Sequence, residues 1–341
     1  MNELANKFVF QWHITNRCSN RCRHCYIDKF GKNDVDIKTV NVILNDMRDC
    51  ADRLEAKSYI SFTGGDPLMH PNIWEILKKA KEMDFEISML GNPEFLDETN
   101  IKKLIDVGIF RYQLSFDGME KTHDENRSKG SFCRTTNALS LAVKLGLPVV
   151  AMSTISSINY LEMPDVMKHV YKTGGERWTF ARFIPDFGDC GISPKNFEAF
   201  LRLIVKEHAP FEKESSGHLF PQGKTMPKKE PLISPIISKI EGSEEKILGG
   251  CGLGTSLLVV LPDNTIMACR RHRGSVLGKW KKSGDILNFF LFSPKMNEYR
   301  NIKQIENCKD CGFLNQCRGC RAAAFASCGD SFGKDPQCFL A

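Results

Sequence analysis

"FVFQWHITNRCSNRCRHCYI", residues 8–27, runs from an apolar stretch into three closely spaced cysteines, Cys18, Cys22 and Cys25. Phe8 to Thr15 reads as a strand, so the cysteines fall in the loop directly after it. The same alternation continues downstream. Strand-like runs recur at Ser58–Phe62, Glu86–Leu90, Phe110–Phe116, Pro148–Ser153 and Arg177–Phe183. Helical patterns lie between them, as at Lys38–Ala56, Trp74–Lys81 and Ala138–Lys144. About six β-α units predict an α/β fold, a parallel sheet curled into a partial (β/α)6 barrel resembling a TIM barrel.

The remainder of the 341 residues breaks that pattern. Residues 213–250 turn Pro-, Lys- and Ser-rich and read as a bridge over the barrel mouth. "SLLVVLPDNTIMAC" then reads as a hairpin whose second arm ends on Cys269. The expected organisation is a barrel over 1–212, the bridge over 213–250, and a small Cys-rich domain over 251–341.

Composition narrows the function. With 47 basic and 41 acidic residues the net charge is only +6, and Lys and Arg are scattered, so no nucleic-acid stripe is expected. No apolar run reaches membrane-spanning length and no signal-peptide core opens the chain, so a soluble cytoplasmic protein is expected, with no membrane partner. Fourteen cysteines in such a chain point to metal rather than disulfides. Cys-x3-Cys-x2-Cys can wrap three thiolates around one face of an iron–sulfur cubane and leave its fourth iron without a protein ligand. Zinc is the alternative, with His13 or His24 completing the set.

At these residues the sequence resembles the radical S-adenosylmethionine (SAM) superfamily. The resemblance implies that Cys18, Cys22 and Cys25 hold a 4Fe–4S cluster whose open iron binds SAM. Reductive cleavage of SAM then gives a 5′-deoxyadenosyl radical. "TGGDP" (63–67) resembles the family's Gly-Gly-Glu-Pro loop, with Asp66 in place of the commoner Glu. Its glycines would let backbone carbonyls approach the SAM amine. "QLSFDG" (113–118) and "HDENRSKGSF" (123–132) resemble cofactor-pocket stretches. The resemblance implies cofactor contacts for Gly64, Gly65, Asp66, Ser88, Asn92, Ser115, Asp117 and Arg127.

The far end resembles the SPASM extension, which implies two auxiliary 4Fe–4S clusters. Cys308, Cys311, Cys317 and Cys338 would ligate the outer one, and Cys251, Cys269 and Cys320 the inner one. Zinc ribbons are the alternative. Two details depart from the family: Cys317-x2-Cys320 is one residue short, and Asn264 stands at the usual hairpin glycine. The inner set also lacks a fourth cysteine, so Cys328 serves, another residue does, or the inner iron stays open, which is favoured.

The resemblance implies a peptide maturase: thioether or carbon–carbon cross-linking of a ribosomally made peptide, or epimerisation. Cys190, in "RFIPDFGDCG", would then donate hydrogen. An electron donor such as flavodoxin or ferredoxin is implied. So little precedes the first strand that a peptide leader is expected to dock on the barrel edge or on a separate leader-binding protein. The other readings are a haem-precursor side-chain or decarboxylation enzyme, a sulfatase or cofactor-peptide maturase, and a non-catalytic iron–sulfur scaffold.

Overall fold

Lys7–Thr15 forms β1, and its even residues, Phe8, Phe10, Trp12 and Ile14, are buried at 0–2% exposure beneath the helices. Its odd residues turn to the opposite face of the sheet, as the period of a strand requires. The computed structural model describes residues 7–32, 34–185, 191–211, 232, 236 and 251–340. The bridging region 213–250 therefore lies outside the described residues, apart from Leu232 and Ile236.

Five more parallel strands follow: β2 (Lys57–Gly64), β3 (Glu86–Leu90), β4 (Arg111–Ser115), β5 (Val149–Ile155) and β6 (Trp178–Arg182). Helices α1 (Ile37–Arg53), α2 (Ile73–Glu82), α3 (Glu98–Val107), α4 (Glu120–Asn126), α5 (Ser131–Leu145), α6 (Met163–Lys172) and α7 (Pro194–His208) alternate with them. α1 shows why the pairing holds. Asp36 caps it by accepting from the Lys38 and Thr39 amides, and Val40, Ile43, Leu44 and Met47 form one buried stripe against the sheet. α5 begins at Ser131 rather than Ala138, because Asp124 accepts from the Gly130 and Phe132 amides and starts the helix early.

The sheet does not end at β1. β7 (Leu257–Val260) pairs parallel with β1, and β8 (Thr265–Met267) and β9 (Val276–Lys279) add antiparallel strands, giving the order β6-β5-β4-β3-β2-β1-β7-β8-β9. The barrel is open rather than closed, and the expected hairpin is the continuation of its sheet. Asn264 at the hairpin turn takes φ 65°, the left-handed conformation that a glycine would otherwise supply. Asp46, buried on α1, accepts from Trp280 Nε1 (2.8 Å) and the Gly284 amide (2.6 Å), so the strand-β9 end is bolted to the first helix. Helices α8 (Asp285–Phe292), α9 (Pro294–Arg300), α10 (Leu314–Cys317) and α11 (Arg321–Cys328) complete the described residues. Among them no helix is long and apolar enough to cross a membrane.

The inner face of the sheet is polar. Register places Gln11 beside Ser61, Ser61 beside Ser88, and Ser88 beside Arg111. A closed barrel fills this space with Val, Ile and Leu. Here it is left as a cavity.

Candidate active site

The cavity measures about 570 Å³, within the range of small-ligand sites, and runs along the inner sheet face to the cysteine loop. Cys18, Cys22 and Cys25 line it, and so do Cys251, Cys269, Cys317 and Cys320. Cys308, Cys311, Cys317 and Cys338 line a second, smaller concavity, together with Leu232 and Asp335. Tertiary structure thus gathers the first cysteine set and the inner and outer sets that the resemblance implied, with Cys317 at both cavities. Cys328 lines neither. Its thiol donates to the carbonyls of Ala324 and Asp330. Cys190 lies outside the described residues. Among the described residues no group of three or more His, Cys, Asp or Glu side chains is set to hold a metal ion; the thiols stand around the two cavities instead.

The first cysteine loop is held by its neighbours' backbones. The Gly65 amide donates to Thr15 O (2.9 Å) and the Asp66 amide to Arg17 O (2.7 Å), so the end of β2 is zipped onto the loop after β1. The glycines also meet a packing requirement within the protein itself. A Cβ on Gly65 would stand 1.9 Å from Arg17 O, and one on Gly64 would stand 2.2 Å from Thr15 O. What each glycine must admit is the cysteine loop itself, although both also border the cavity. Arg17 steadies the same loop through its ion pair with Asp34 (2.7 Å).

Two donors reach the sulfurs. Asn92 Nδ2 donates to Cys18 Sγ (3.3 Å), and Arg127 Nη1 approaches Cys22 Sγ (3.7 Å). Burial pushes the Cys18 thiol up, and likewise Cys22, where Arg127 opposes the effect. Among the C-terminal sets burial pushes Cys251 up to about 11, and raises Cys320 and Cys308 as well. Partly buried thiols with N–H donors aimed at them suit an iron–sulfur cluster, whose iron charge favours the thiolate and whose sulfurs accept such bonds.

Ser88, Asn92, Ser115 and Arg127 line the cavity, but Asp66 and Asp117 do not. Both carboxylates face inward to hold loops. Asp117 accepts from Arg127 Nε (2.6 Å) and the Thr154 amide (2.7 Å), and lies 3.4 Å from His24 Nε2. Burial would raise its pKa, but Arg127 and His24 outweigh that and hold it below the ordinary carboxylate range. Asp117 therefore positions Arg127 against Cys22. Burial lowers the pKa of His24, despite Asp117.

Asp66 differs. It accepts from the amides of Leu68 (2.9 Å) and Asn92 (2.9 Å), yet burial outweighs both bonds and pushes it up to about 7. An unfolded aspartate titrates near 3.8. Between those values the folded state holds a proton that the unfolded state lacks, so this group's contribution to stability falls as pH rises from about 4 to about 7. Asp66→Asn is expected to flatten that part of the stability profile of the metal-free protein. Thermal unfolding of both forms across this range checks it, and parallel profiles would assign the slope to other groups.

Several residues escaped the sequence reading. His24 was weighed only as a zinc ligand. Arg182, at the end of β6, meets Asp335 near the C-terminus at 2.8 Å, a pair 153 positions apart with no local signature. Arg270 enters the cavity directly after Cys269, and the run "CRRHR" (269–273) was its signal.

Residues 12–170 match the model of the radical SAM superfamily. Over 347 residues the chain is 24% identical to an AdoMet-dependent heme synthase of Methanosarcina barkeri, covering 97% of this chain and 95% of that one. It is 23% identical over 340 residues to the mycofactocin maturase MftC of Mycobacterium tuberculosis, covering 96% of this chain and 81% of the relative. Streptococcus suis SuiB bound to precursor peptide SuiA shares the fold, with a TM-score of 0.73 at 15% identity over 98% of this chain and 76% of that one. Residues 12–170 thus form a radical SAM domain carrying the cysteine loop at the end of β1, which makes the protein an enzyme and implies a 4Fe–4S cluster and SAM.

Proposed function

We propose that this enzyme modifies a ribosomally synthesised peptide at an unactivated carbon, by a thioether or carbon–carbon cross-link or by epimerisation. The observation that carries the reading is one continuous cavity bordered by both Cys18, Cys22 and Cys25 and Cys251, Cys269 and Cys320. A substrate lying in it reaches both cysteine sets at once. Two similar proteins support the peptide: one is a mycofactocin maturase, and the other is bound to a precursor peptide.

When bound, the first cluster and SAM together supply a radical able to take hydrogen from an unactivated C–H bond. The chain's own residues hold and orient. Cys18, Cys22 and Cys25 ligate that cluster, with Asn92 and Arg127 donating to two of the sulfurs. Gly64, Gly65, Ser88 and Ser115 border the SAM space, and Asp66 and Asp117 fix the loops around it. Cys308, Cys311, Cys317 and Cys338 ligate an outer auxiliary cluster. Cys251, Cys269 and Cys320 would hold an inner one, three thiols where a fully ligated cluster takes four. Cys190 is the hydrogen donor if the reaction is epimerisation. An electron donor such as flavodoxin or ferredoxin supplies the electron, and the leader docks on the barrel edge or on a separate leader-binding protein.

A second reading has its own observation. Six arginines line the cavity (Arg111, Arg127, Arg182, Arg270, Arg271 and Arg273), and no Asp or Glu does among the described residues. Such a lining suits the carboxylates of a haem precursor, and the Methanosarcina relative is a heme synthase.

The test is anaerobic reconstitution followed by iron counting and a 5′-deoxyadenosine assay, with and without any short peptide found encoded beside the gene. About twelve irons per chain are expected, falling by about four in a Cys18/Cys22/Cys25→Ala variant that no longer cleaves SAM. A cross-linked peptide loses the mass of two hydrogens, and an epimerised one takes up solvent deuterium. Turnover with a carboxylated porphyrin alone would favour the second reading. No SAM cleavage by the fully loaded protein would defeat both.

A further inference from the structure

We propose that Arg270 seats a carboxylate of the substrate in the cavity, so that the substrate is a carboxylate-bearing molecule; the assignment deepens the function proposed above and rests on it. Arg270 lies between β8 and β9, directly after Cys269, and its side chain borders the cavity. One edge of its guanidinium is fixed: Nη2 donates to Tyr26 O (2.9 Å), and the group lies 4.3 Å over the Tyr26 ring. This places the charge beside Cys25, at the first cysteine loop.

The guanidinium is not fully satisfied. Its Nε is buried with no acceptor, and no carboxylate among the described residues comes within ion-pair distance. Neighbouring Asp28 is taken by the fork of Arg273, at 2.7 and 2.9 Å. Arg127 and Arg182, which share the cavity wall, have their own acids in Asp117 and Asp335. Arg270 is thus a fixed cation with a buried unmet donor, facing a space lined by no acid among the described residues. Buried donors find partners, and a planar guanidinium meets a carboxylate with paired hydrogen bonds.

SAM carries a carboxylate of its own, but the residues expected to border SAM sit on β2, β3 and β4. Arg270 enters from beyond β7, across β1 from them. A substrate carboxylate has two sources, an acidic side chain or C-terminus of a peptide, or a propionate of a tetrapyrrole.

Two probe pairs separate these outcomes on the reconstituted holoenzyme. One is coproporphyrin III against its tetramethyl ester. The other is a peptide selected for binding from a random display library, against the same peptide with Asp and Glu changed to Asn and Gln and its C-terminus amidated. Affinities are measured for wild type, Arg270→Gln and Arg270→Lys, and SAM affinity alongside. Wild type is expected to prefer the acid form of one pair by about 10- to 100-fold, as a charge-assisted hydrogen bond requires. Arg270→Gln should lose that preference while binding the neutral form as before. Arg270→Lys should keep part of it, and decides the matter if the glutamine variant fails to load iron. The pair showing the coupling names the source.

An acid preference that survives Arg270→Gln, no preference in wild type for either pair, or a loss confined to SAM affinity would each overturn the assignment. SAM cleavage by wild type tests the underlying reading separately. Cleavage with no acid preference defeats Arg270 alone, whereas no cleavage defeats the reading as well.

Discussion

Gly65→Ala is expected to cost the enzyme its first cluster, about four irons per chain, and to lower SAM cleavage by about 100-fold or more. The added methyl would stand 1.9 Å from Arg17 O, 2.5 Å from Arg17 C and 2.9 Å from Cys18 Cβ. Two of those three atoms are backbone, so no side-chain rotation relieves the clash. Either the loop carrying Cys18 moves, or the Gly65–Thr15 and Asp66–Arg17 hydrogen bonds break. Overpacking of this kind costs about 1–3 kcal/mol in stability, which the fold survives. The geometry of three thiols around one cluster does not. Gly312→Ala is the control: it lies in the C-terminal cysteine loop, and nothing comes within 4 Å of its added Cβ. Iron counting and 5′-deoxyadenosine release check both variants. Full iron and full cleavage in Gly65→Ala would show that the loop yields without consequence.

Asp335→Asn is expected to destabilise the protein by about 3–5 kcal/mol, the cost of removing one charge from a buried pair. Asp335 and Arg182 are each 3% exposed and meet through two contacts, at 2.8 and 3.0 Å. The same carboxylate accepts from the Cys320 amide (3.0 Å) and the Gln337 amide (3.0 Å). Burial would raise the Asp335 pKa, but Arg182 and these amides outweigh it and hold the carboxyl below its ordinary value. Its contribution is therefore present at neutral pH and is lost as pH falls through the acidic range. Because Asp335 sets the backbone at Cys320 and lines the outer concavity, the variant is expected to lose auxiliary iron while keeping the iron at Cys18, Cys22 and Cys25. Denaturant unfolding and iron counting check it. Wild-type stability in Asp335→Asn would mean that the pair holds nothing the amides alone do not.

The fold was largely legible because each strand and helix is specified locally. Glu86–Leu90 was read at its observed limits, and β1, β2, β4, β5 and β6 lie within a residue or two of theirs. Period two in Phe8, Phe10, Trp12 and Ile14, and a helical stripe in Val40, Ile43, Leu44 and Met47, are properties of a single segment. Strand β9 was missed, since Val276–Lys279 is short and contains a glycine.

The chemistry of the site was legible in part for the same reason. Cysteines two or three residues apart within one loop are close in space whatever the rest of the chain does, so the first set needed no tertiary information. What the sequence by itself determined is the succession of β-α units and the identity of the thiols. Tertiary structure decided which side chains face one another across the cavity: that Asp66 and Asp117 turn away from it, that Gly65 makes room for Cys18, that Asp335 meets Arg182, and that Arg270 reaches Tyr26. These are contacts between distant segments. Strand register and the continuation of the sheet from β1 into β7 create them, and no local spacing encodes either.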